Sequence, residues 1–315
     1  NKYKARIKIL VKAEGQRFVD DVQREYAALV EAGAPEVPQA ELDRVAASFT
    51  LPAPLRDADP QATLREDLPP AYLRWLERNV HAHRVPGYRA VTLSLKRAGL
   101  PPGDVTAAQM DGAAALAERF SLGELRVTHE QNLLLPWVRQ DELPALWQAA
   151  RAGGFATPNI GLLTDMIACP GGDLCALANA RSIPIAAAIA ERFEDLDRLH
   201  DIGDIDLHIS GCINSCGHHH SGHIGILGVD KDGSEWYQLT VAGSDGSTLS
   251  GAPAPGKVIG PSFAADEVPD AIEAVIETYL AERAGGERFV DTARRLGPLP
   301  FRRAADAVRR ATASA

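Results

Sequence analysis

All four cysteines of the chain lie in two short segments, residues 164–178 (TDMIACPGGDLCALA) and residues 209–228 (ISGCINSCGHHHSGHIGILG). Cys169 and Cys175 form the first pair, and Cys212 and Cys216 form the second. In a reducing compartment, cysteines clustered in this way indicate metal ligation rather than disulfide bonds. These two segments therefore determine which fold and which kind of site we expect.

Four thiolates suit either a structural zinc ion or an iron–sulfur cluster. Paired zinc ligands usually have two to four residues between them; the second pair fits that range, whereas the first pair is too widely spaced. Glycines lie inside the first pair and on both sides of the second, so backbone amides can approach cluster sulfurs closely. The pattern favours a cluster over zinc, and four buried thiols without metal remain the simplest alternative.

Four histidines, His218, His219, His220 and His223, directly follow the second cysteine pair. Three adjacent histidines cannot easily direct all their imidazoles at one ion. We therefore predict that this run has no ligand role.

Composition excludes several classes of protein. The 315 residues are 45% hydrophobic and 24% charged, as in globular domains. The net charge of −9 argues against a nucleic-acid surface, although a small anion can still bind in a local basic pocket. We predict no membrane span and no secretory signal, and therefore a cytoplasmic protein. The chain does not begin with methionine, so it is either processed or part of something longer.

Hydrophobic periodicity predicts helices and strands on both sides of the cysteine segments. A helix is expected over 1–32. Residues 34–86 are predicted to form an irregular connector, because they hold eight of the 21 prolines, with one short helix at 71–79. Residues 87–153 are predicted to form a strand–helix–strand–strand–helix unit, which is half of an α+β sandwich. Its strands are expected at 91–95, 125–127 and 133–138. Its first helix is expected to begin with a capping box at Thr106 and Gln109, and its closing helix is expected at 143–150. In residues 155–315 we predict a helix from about Asp173, broken at Pro184, then strands at 205–209, 223–229 and 236–242 and a helix at 266–283.

The cysteine segments resemble the signature of the sirohaem-dependent sulfite and nitrite reductases. Residues 123–138 (GELRVTHEQNLLLPWV) and 79–96 resemble the half-domain that precedes this signature in the same family. The likeness extends over nearly the whole chain and is closest to the C-terminal half of the bacterial haemoprotein (beta) component of assimilatory sulfite reductase. The fold class it implies is α+β, with a ferredoxin-like half-domain followed by an α/β domain that binds sirohaem and a 4Fe–4S cluster. The implied domains are 1–33, the tail of an upstream sirohaem-binding domain; 34–86, the connector; 87–153, the half-domain; and 155–315, the cluster and sirohaem domain.

The resemblance also implies roles for individual residues. Cys169, Cys175, Cys212 and Cys216 would bind the cluster, and Cys216 would also bridge to the sirohaem iron. Asn214 would contact the sirohaem, whose carboxylates would be bound by Arg126, Thr128, Gln131 and Asn132. The residues alone favour an ordinary solvated strand face here, with Arg126 and Thr128 opposite Leu125 and Val127.

The activity implied is the six-electron reduction of sulfite to sulfide, with reduction of nitrite to ammonia as the alternative in the same family. A zinc-stabilised binding module without catalysis is the alternative from another class. The family's anion-binding arginines and Lys-x-Lys pair lie upstream of this chain, and Lys2-Tyr3-Lys4 does not match that pair, so no catalytic residue is assigned. The electron donor would be a flavoprotein or a ferredoxin. Absence of the matching upstream half would leave the sheet of residues 87–153 without its partner and favour a homodimer.

Overall fold

The computed structural model describes residues 7–52, 55, 58–59, 68–247 and 251–312. Lys2-Tyr3-Lys4 lies outside these residues. The chain divides into two compact units, residues 1–57 and 58–315. Within the described residues, no helix is both long enough and apolar enough to cross a membrane.

The described residues of the first unit form three helices, α1 (Ile7–Glu14), α2 (Gln16–Glu31) and α3 (Gln39–Ala47). The single helix predicted over 1–32 is interrupted at Gly15, whose φ of 55° lies in the left-handed region that glycine tolerates best. Helix α3 occupies part of the segment predicted to be irregular. Neither α2 nor α3 has a buried residue.

The second unit begins with a four-stranded antiparallel sheet and three helices that pack against it. The elements in chain order are α4 (Pro70–Asn79), β1 (Val80–Ala82), β2 (Tyr88–Leu93), α5 (Ala107–Phe120), β3 (Arg126–Val127), β4 (Leu133–Arg139) and α6 (Leu143–Gly153). The strands lie in the order β1-β2-β4-β3.

The predicted strand–helix–strand–strand–helix order of this part is confirmed, as is the capping box at Thr106. Its core includes Val91, Leu93 and Leu135, each with no exposed surface. Tyr72 and Trp75 of α4 belong to the same core, although we assigned them to the connector. The core of this part therefore includes residues that precede position 87, and the bounds of the half-domain stay a prediction.

The rest of the second unit contains a six-stranded mixed sheet and the helices that follow its strands. The elements are β5 (Ile167–Ala168), α7 (Ile183–Arg192), α8 (Leu196–Ile202), β6 (Leu207–Ser210), β7 (Ile224–Lys231), β8 (Ser234–Val241), β9 (Lys257–Val258), β10 (Phe263–Ala264), α9 (Val268–Glu282), α10 (Phe289–Leu296) and α11 (Pro298–Thr312). The strands lie in the order β10-β8-β7-β6-β5, with β9 beside β8, and the β5–β6 and β6–β7 pairs are parallel. The three predicted strands and the predicted helix at 266–283 are confirmed within two residues.

The helix predicted from Asp173 is wrong. Residues 170–182 form turns, and α7 begins only at Ile183. Pro184 lies in the first turn of α7, where a missing N–H costs nothing, so this proline starts a helix rather than breaking one. The Asp173 carboxylate accepts a hydrogen bond from the backbone N–H of Ile183 at 3.3 Å, which helps to define that start.

Candidate functional site

The two cysteine pairs follow neighbouring strands of the mixed sheet. Cys169 comes directly after β5, and Cys212 comes two residues after the last residue of β6. Because β5 and β6 are adjacent and parallel, their carboxyl ends meet at the same edge of the sheet. The fold thus places the loops of both pairs side by side.

Hydrogen bonds connect these two loops at Cys169. Its backbone N–H donates to the carbonyl of Ile209 at 3.1 Å. The backbone N–H of Gly211 donates to Cys169 Sγ at 3.1 Å. Such N–H···S bonds to a thiolate are one means by which a protein tunes an iron–sulfur cluster.

Glycines allow the two loops to touch. A Cβ added at Gly211 would lie 2.5 Å from the carbonyl oxygen of Ala180 and 2.7 Å from the Cα of Gly171. The carbonyl of Gly211 accepts hydrogen bonds from the backbone N–H groups of Asn179 and Ala180, at 2.8 and 3.0 Å. Only a residue without a side chain fits at position 211, and the two loops pack as one body.

The four thiols differ in exposure. Cys212 is buried, Cys169 and Cys175 are half-buried, and Cys216 is exposed. Among the residues that the structure describes, no group of three or more His, Cys, Asp or Glu side chains could hold a single metal ion. The donor set itself, four cysteines in glycine-rich loops with a backbone N–H directed at one sulfur, fits the chemistry of a 4Fe–4S cluster.

The histidines near the second cysteine pair take part in contacts within the fold. His223 is 2% exposed, and its Nδ1 accepts a hydrogen bond from the backbone N–H of Asp206 at 3.1 Å. His208 Nδ1 lies 3.0 Å from the carbonyl oxygen of His218. Burial lowers the pKa of both His208 and His223, which favours neutral imidazoles. The absence of a ligand role for this run stays a prediction.

The predicted sirohaem-contacting strand is very short. Arg126 is exposed, and its Nε donates to Glu124 Oε1 at 2.6 Å. Thr128 lies beyond β3, and its Oγ1 accepts a hydrogen bond from the backbone N–H of Asn132 at 3.2 Å. Val127 is 81% exposed, since β3 is an edge strand of the sheet.

The side-chain amides of Gln131 and Asn132 bind protein groups. Gln131 Nε2 donates to the carbonyl of Ala168 at 2.8 Å, and Gln131 Oε1 accepts from the N–H of the same residue at 3.0 Å. Asn132, 1% exposed, accepts from the backbone N–H of Leu95 at 3.0 Å and donates to Asp165 Oδ1 at 2.8 Å. Both amides thus have protein partners. Contacts between sirohaem and these residues, or Asn214 in the loop of the second pair, stay predictions.

A buried ion pair that was not predicted from the sequence lies beside the first cysteine loop. Lys96 Nζ lies 3.5 Å from Asp165 Oδ1, and the two side chains are 1% and 4% exposed. Nζ also donates to the carbonyls of Glu130 and Met166, at 2.6 and 2.7 Å. Burial lowers the pKa of Lys96 and raises the pKa of Asp165, while each partner opposes the shift of the other.

Two cavities border the same region. The more apolar one, of about 480 Å³, is lined by residues that include Val127, Gln131, Pro170 and Leu174. The other, of about 360 Å³, is lined by residues that include His81, Thr128, Asp165 and His208. Thr128 and Asn132 line both cavities, so two of the predicted sirohaem-contacting residues stand between them.

Comparison with known families matches both parts of the second unit. Residues 90–153 match the nitrite/sulfite reductase ferredoxin-like half domain. Residues 162–310 match the nitrite and sulphite reductase 4Fe-4S domain. Together the two matches cover about two thirds of the chain.

Several curated proteins and solved structures are similar to the chain. A chloroplastic ferredoxin–nitrite reductase of Oryza sativa subsp. japonica is 31% identical over 189 residues, which are 57% of this chain and 30% of the relative. Sulfite reductase [ferredoxin] 2 of Mycolicibacterium paratuberculosis is 27% identical over 220 residues, 66% of this chain and 39% of the relative. The NirA protein of Mycobacterium tuberculosis superposes with a TM-score of 0.59 at 22% identity, covering 94% of this chain and 48% of NirA, which shows a shared fold. The chain thus spans less than half the length of these relatives.

Proposed function

Because the chain belongs to the sirohaem-dependent nitrite and sulfite reductase family, we propose that it supplies the cluster-binding half of an enzyme that reduces sulfite to sulfide with six electrons. The observation that carries the proposal is the juxtaposition of the two cysteine loops. They leave the adjacent parallel strands β5 and β6 and meet where the N–H of Gly211 donates to Cys169 Sγ. The match to the 4Fe-4S domain of the family covers both loops.

Cys169, Cys175, Cys212 and Cys216 are the proposed cluster ligands, and the thiolate of Cys216 would also bind the sirohaem iron. The exposure of Cys216 supports this second role, because its sulfur lies where another group has access. Bound together, the cluster and the sirohaem would deliver single electrons to an anion at the haem iron. The protein's own part is to orient the thiolates and to donate a backbone N–H to one of them.

The proposed sirohaem surface lies on the half-domain side of the cysteine loops. Arg126 supplies a positive charge near the edge of the sheet, suited to a carboxylate of the macrocycle. Thr128, Gln131 and Asn132 border the apolar cavity, where a sirohaem contact to either amide would replace one of its hydrogen bonds to protein groups. Asn214, half-buried between Cys212 and Cys216, is the proposed contact from the second cysteine loop.

The substrate and the electron donor are parts of the proposal. Nitrite is the second candidate substrate, because several similar proteins are ferredoxin–nitrite reductases. Their names favour ferredoxin over a flavoprotein as the donor. We also propose a cytoplasmic location, a homodimer, and the four domains 1–33, 34–86, 87–153 and 155–315. The zinc-stabilised module is disfavoured by the 4Fe-4S domain match.

The test is cofactor-dependent turnover. The protein, with any residues that precede this chain retained, is loaded anaerobically with cluster and sirohaem and supplied with reduced methyl viologen. We expect oxidation of six viologens per anion, with sulfide formed from sulfite or ammonia from nitrite, and the faster reaction identifies the substrate. Cys216→Ser should abolish turnover and alter the haem spectrum, whereas Ser221→Ala, at a half-buried serine in the same segment, should change neither. A fully loaded protein that reduces neither anion would refute the proposal.

A further inference from the structure

The segment that leads into Cys169 is held from outside its own sheet. Strand β5 has only two residues, and its two register pairs with β6 are Ile167 with His208 and Ala168 with Ile209. Two pairs define the position of a strand weakly, since strands in folded proteins usually have five or six residues. The direction in which Cys169 leaves the sheet therefore depends on further contacts.

Three side chains of the half-domain supply these contacts. Lys96 donates to the carbonyl of Met166, and Asn132 donates to the carboxylate of Asp165. Gln131 binds Ala168 at both of its backbone polar groups, accepting from the N–H and donating to the carbonyl. Residues 165, 166 and 168 are thus all fixed from one side, and the last of them is bonded covalently to Cys169.

Gln131 is itself well placed for this contact. It lies in the turn between β3 and β4 with a φ of 59°, and its backbone N–H donates to the carbonyl of Thr128 at 3.2 Å. The next residue, Asn132, is buried and bound at both ends of its amide. An amide side chain that offers one donor and one acceptor to the C=O and N–H of the same residue mimics a strand partner and resists rotation of the two peptide units that flank that residue.

We propose that Gln131 is a positioning residue for the cluster ligand Cys169, an inference that rests on the proposed cluster. The double hydrogen bond fixes both peptide units of Ala168, including the one that joins it to Cys169, and thereby keeps Cys169 Sγ within reach of the N–H of Gly211. Loss of this contact releases the sulfur from its N–H donor and loosens one corner of the cluster. The half-domain thus acts on the cluster through Gln131 without contributing a ligand.

The test compares Gln131→Leu with Gln109→Leu in the chain after anaerobic reconstitution with iron and sulfide. Gln109 belongs to the exposed capping box of α5, so its replacement destabilises the half-domain without touching the cysteine loops. The measurements are iron and sulfide content, the EPR spectrum of the reduced cluster, and the rate at which air bleaches its visible absorbance. We expect Gln131→Leu to lose iron about ten- to hundredfold more readily and to shift the EPR spectrum. Gln109→Leu should match the wild type in all three.

Two results overturn the inference. One is a Gln131→Leu protein with the EPR spectrum and air sensitivity of the wild type, even if it unfolds more easily, because the role of Gln131 would then be structural only. The other is equal cluster loss in both variants. If Gln131→Leu does not fold, the isosteric Gln131→Glu, which keeps an acceptor for the Ala168 N–H and loses the donor, gives the same comparison. A wild-type chain that forms no cluster at all would instead refute the proposed function.

Discussion

Replacement of Lys96 by methionine tests the buried network that joins the half-domain to the first cysteine loop. Methionine fills a similar volume but cannot donate, so the carbonyls of Glu130 and Met166 lose their donor. The Asp165 carboxylate keeps only the hydrogen bonds from Asn132 and the backbone N–H of Gly161 and loses its cation. Removal of one partner of a buried ion pair typically costs about 3–5 kcal/mol, and we expect a loss of this size in the free energy of unfolding.

The stability that Lys96→Met loses should depend on pH. Burial already raises the pKa of Asp165, and Lys96 opposes that shift. Without the lysine the pKa rises further, so the folded variant binds a proton at a higher pH than the unfolded chain does. The deficit relative to wild type should therefore be largest near neutral pH and should shrink as pH falls through the raised pKa of Asp165.

Urea unfolding of the cluster-free chain, followed by circular dichroism at about pH 7.5 and about pH 5, measures both effects. The matched control is Lys96→Met combined with Asp165→Asn, which removes the uncompensated charge. We expect the double variant to recover most of the stability and to lose the pH dependence. A single variant that loses less than about 1 kcal/mol, with the same deficit at both pH values, would refute the buried ion pair.

Three further predictions concern the loops and the half-domain. Gly211→Ala should prevent the two cysteine loops from packing, because its Cβ would lie 2.5 Å from the Ala180 carbonyl oxygen; a reconstituted variant with the iron content of the wild type would contradict this. Tyr237→Phe removes a 2.8 Å hydrogen bond to the carbonyl of Arg181 and should cost about 1 kcal/mol in urea unfolding, whereas an unchanged midpoint would show that the hydroxyl contributes nothing. Thr106→Ala removes the N-cap of α5 and should cost about 1 kcal/mol, with Thr106→Ser as the control that restores it.

The parts of the fold that the sequence predicted correctly are those with a local signal. Alternation of apolar residues around Val91 and Leu93 identified β2, and both side chains are fully buried. Prolines gave the wrong signal at α7, because a proline in the first turn of a helix and a proline that breaks one look alike in sequence. Helix α3 was missed for a related reason: its neighbouring prolines indicated irregular structure, yet Pro38 precedes the helix as its N-cap.

The site shows the same division between local and distant signals. Spacing and glycine content identified the four cysteines as a set, and the structure brings the loops of both pairs to one sheet edge. Lys96 appeared to be an ordinary polar position at the end of a strand, because its partner groups at Asp165 and Met166 lie about 70 residues further along the chain. Hydrophobic periodicity in the sequence cannot indicate such a contact, because the contact forms only when the half-domain packs on the cysteine loop.

The central claim is that Cys169, Cys175, Cys212 and Cys216 together bind one 4Fe–4S cluster. The most direct measurement is the content of iron, acid-labile sulfide and zinc in the anaerobically reconstituted chain. We expect iron and sulfide each in a ratio of about four per chain, without zinc, and loss of this cluster in Cys169→Ser and Cys212→Ser. One zinc ion per chain with neither iron nor sulfide, or unchanged iron in both cysteine variants, would contradict the account.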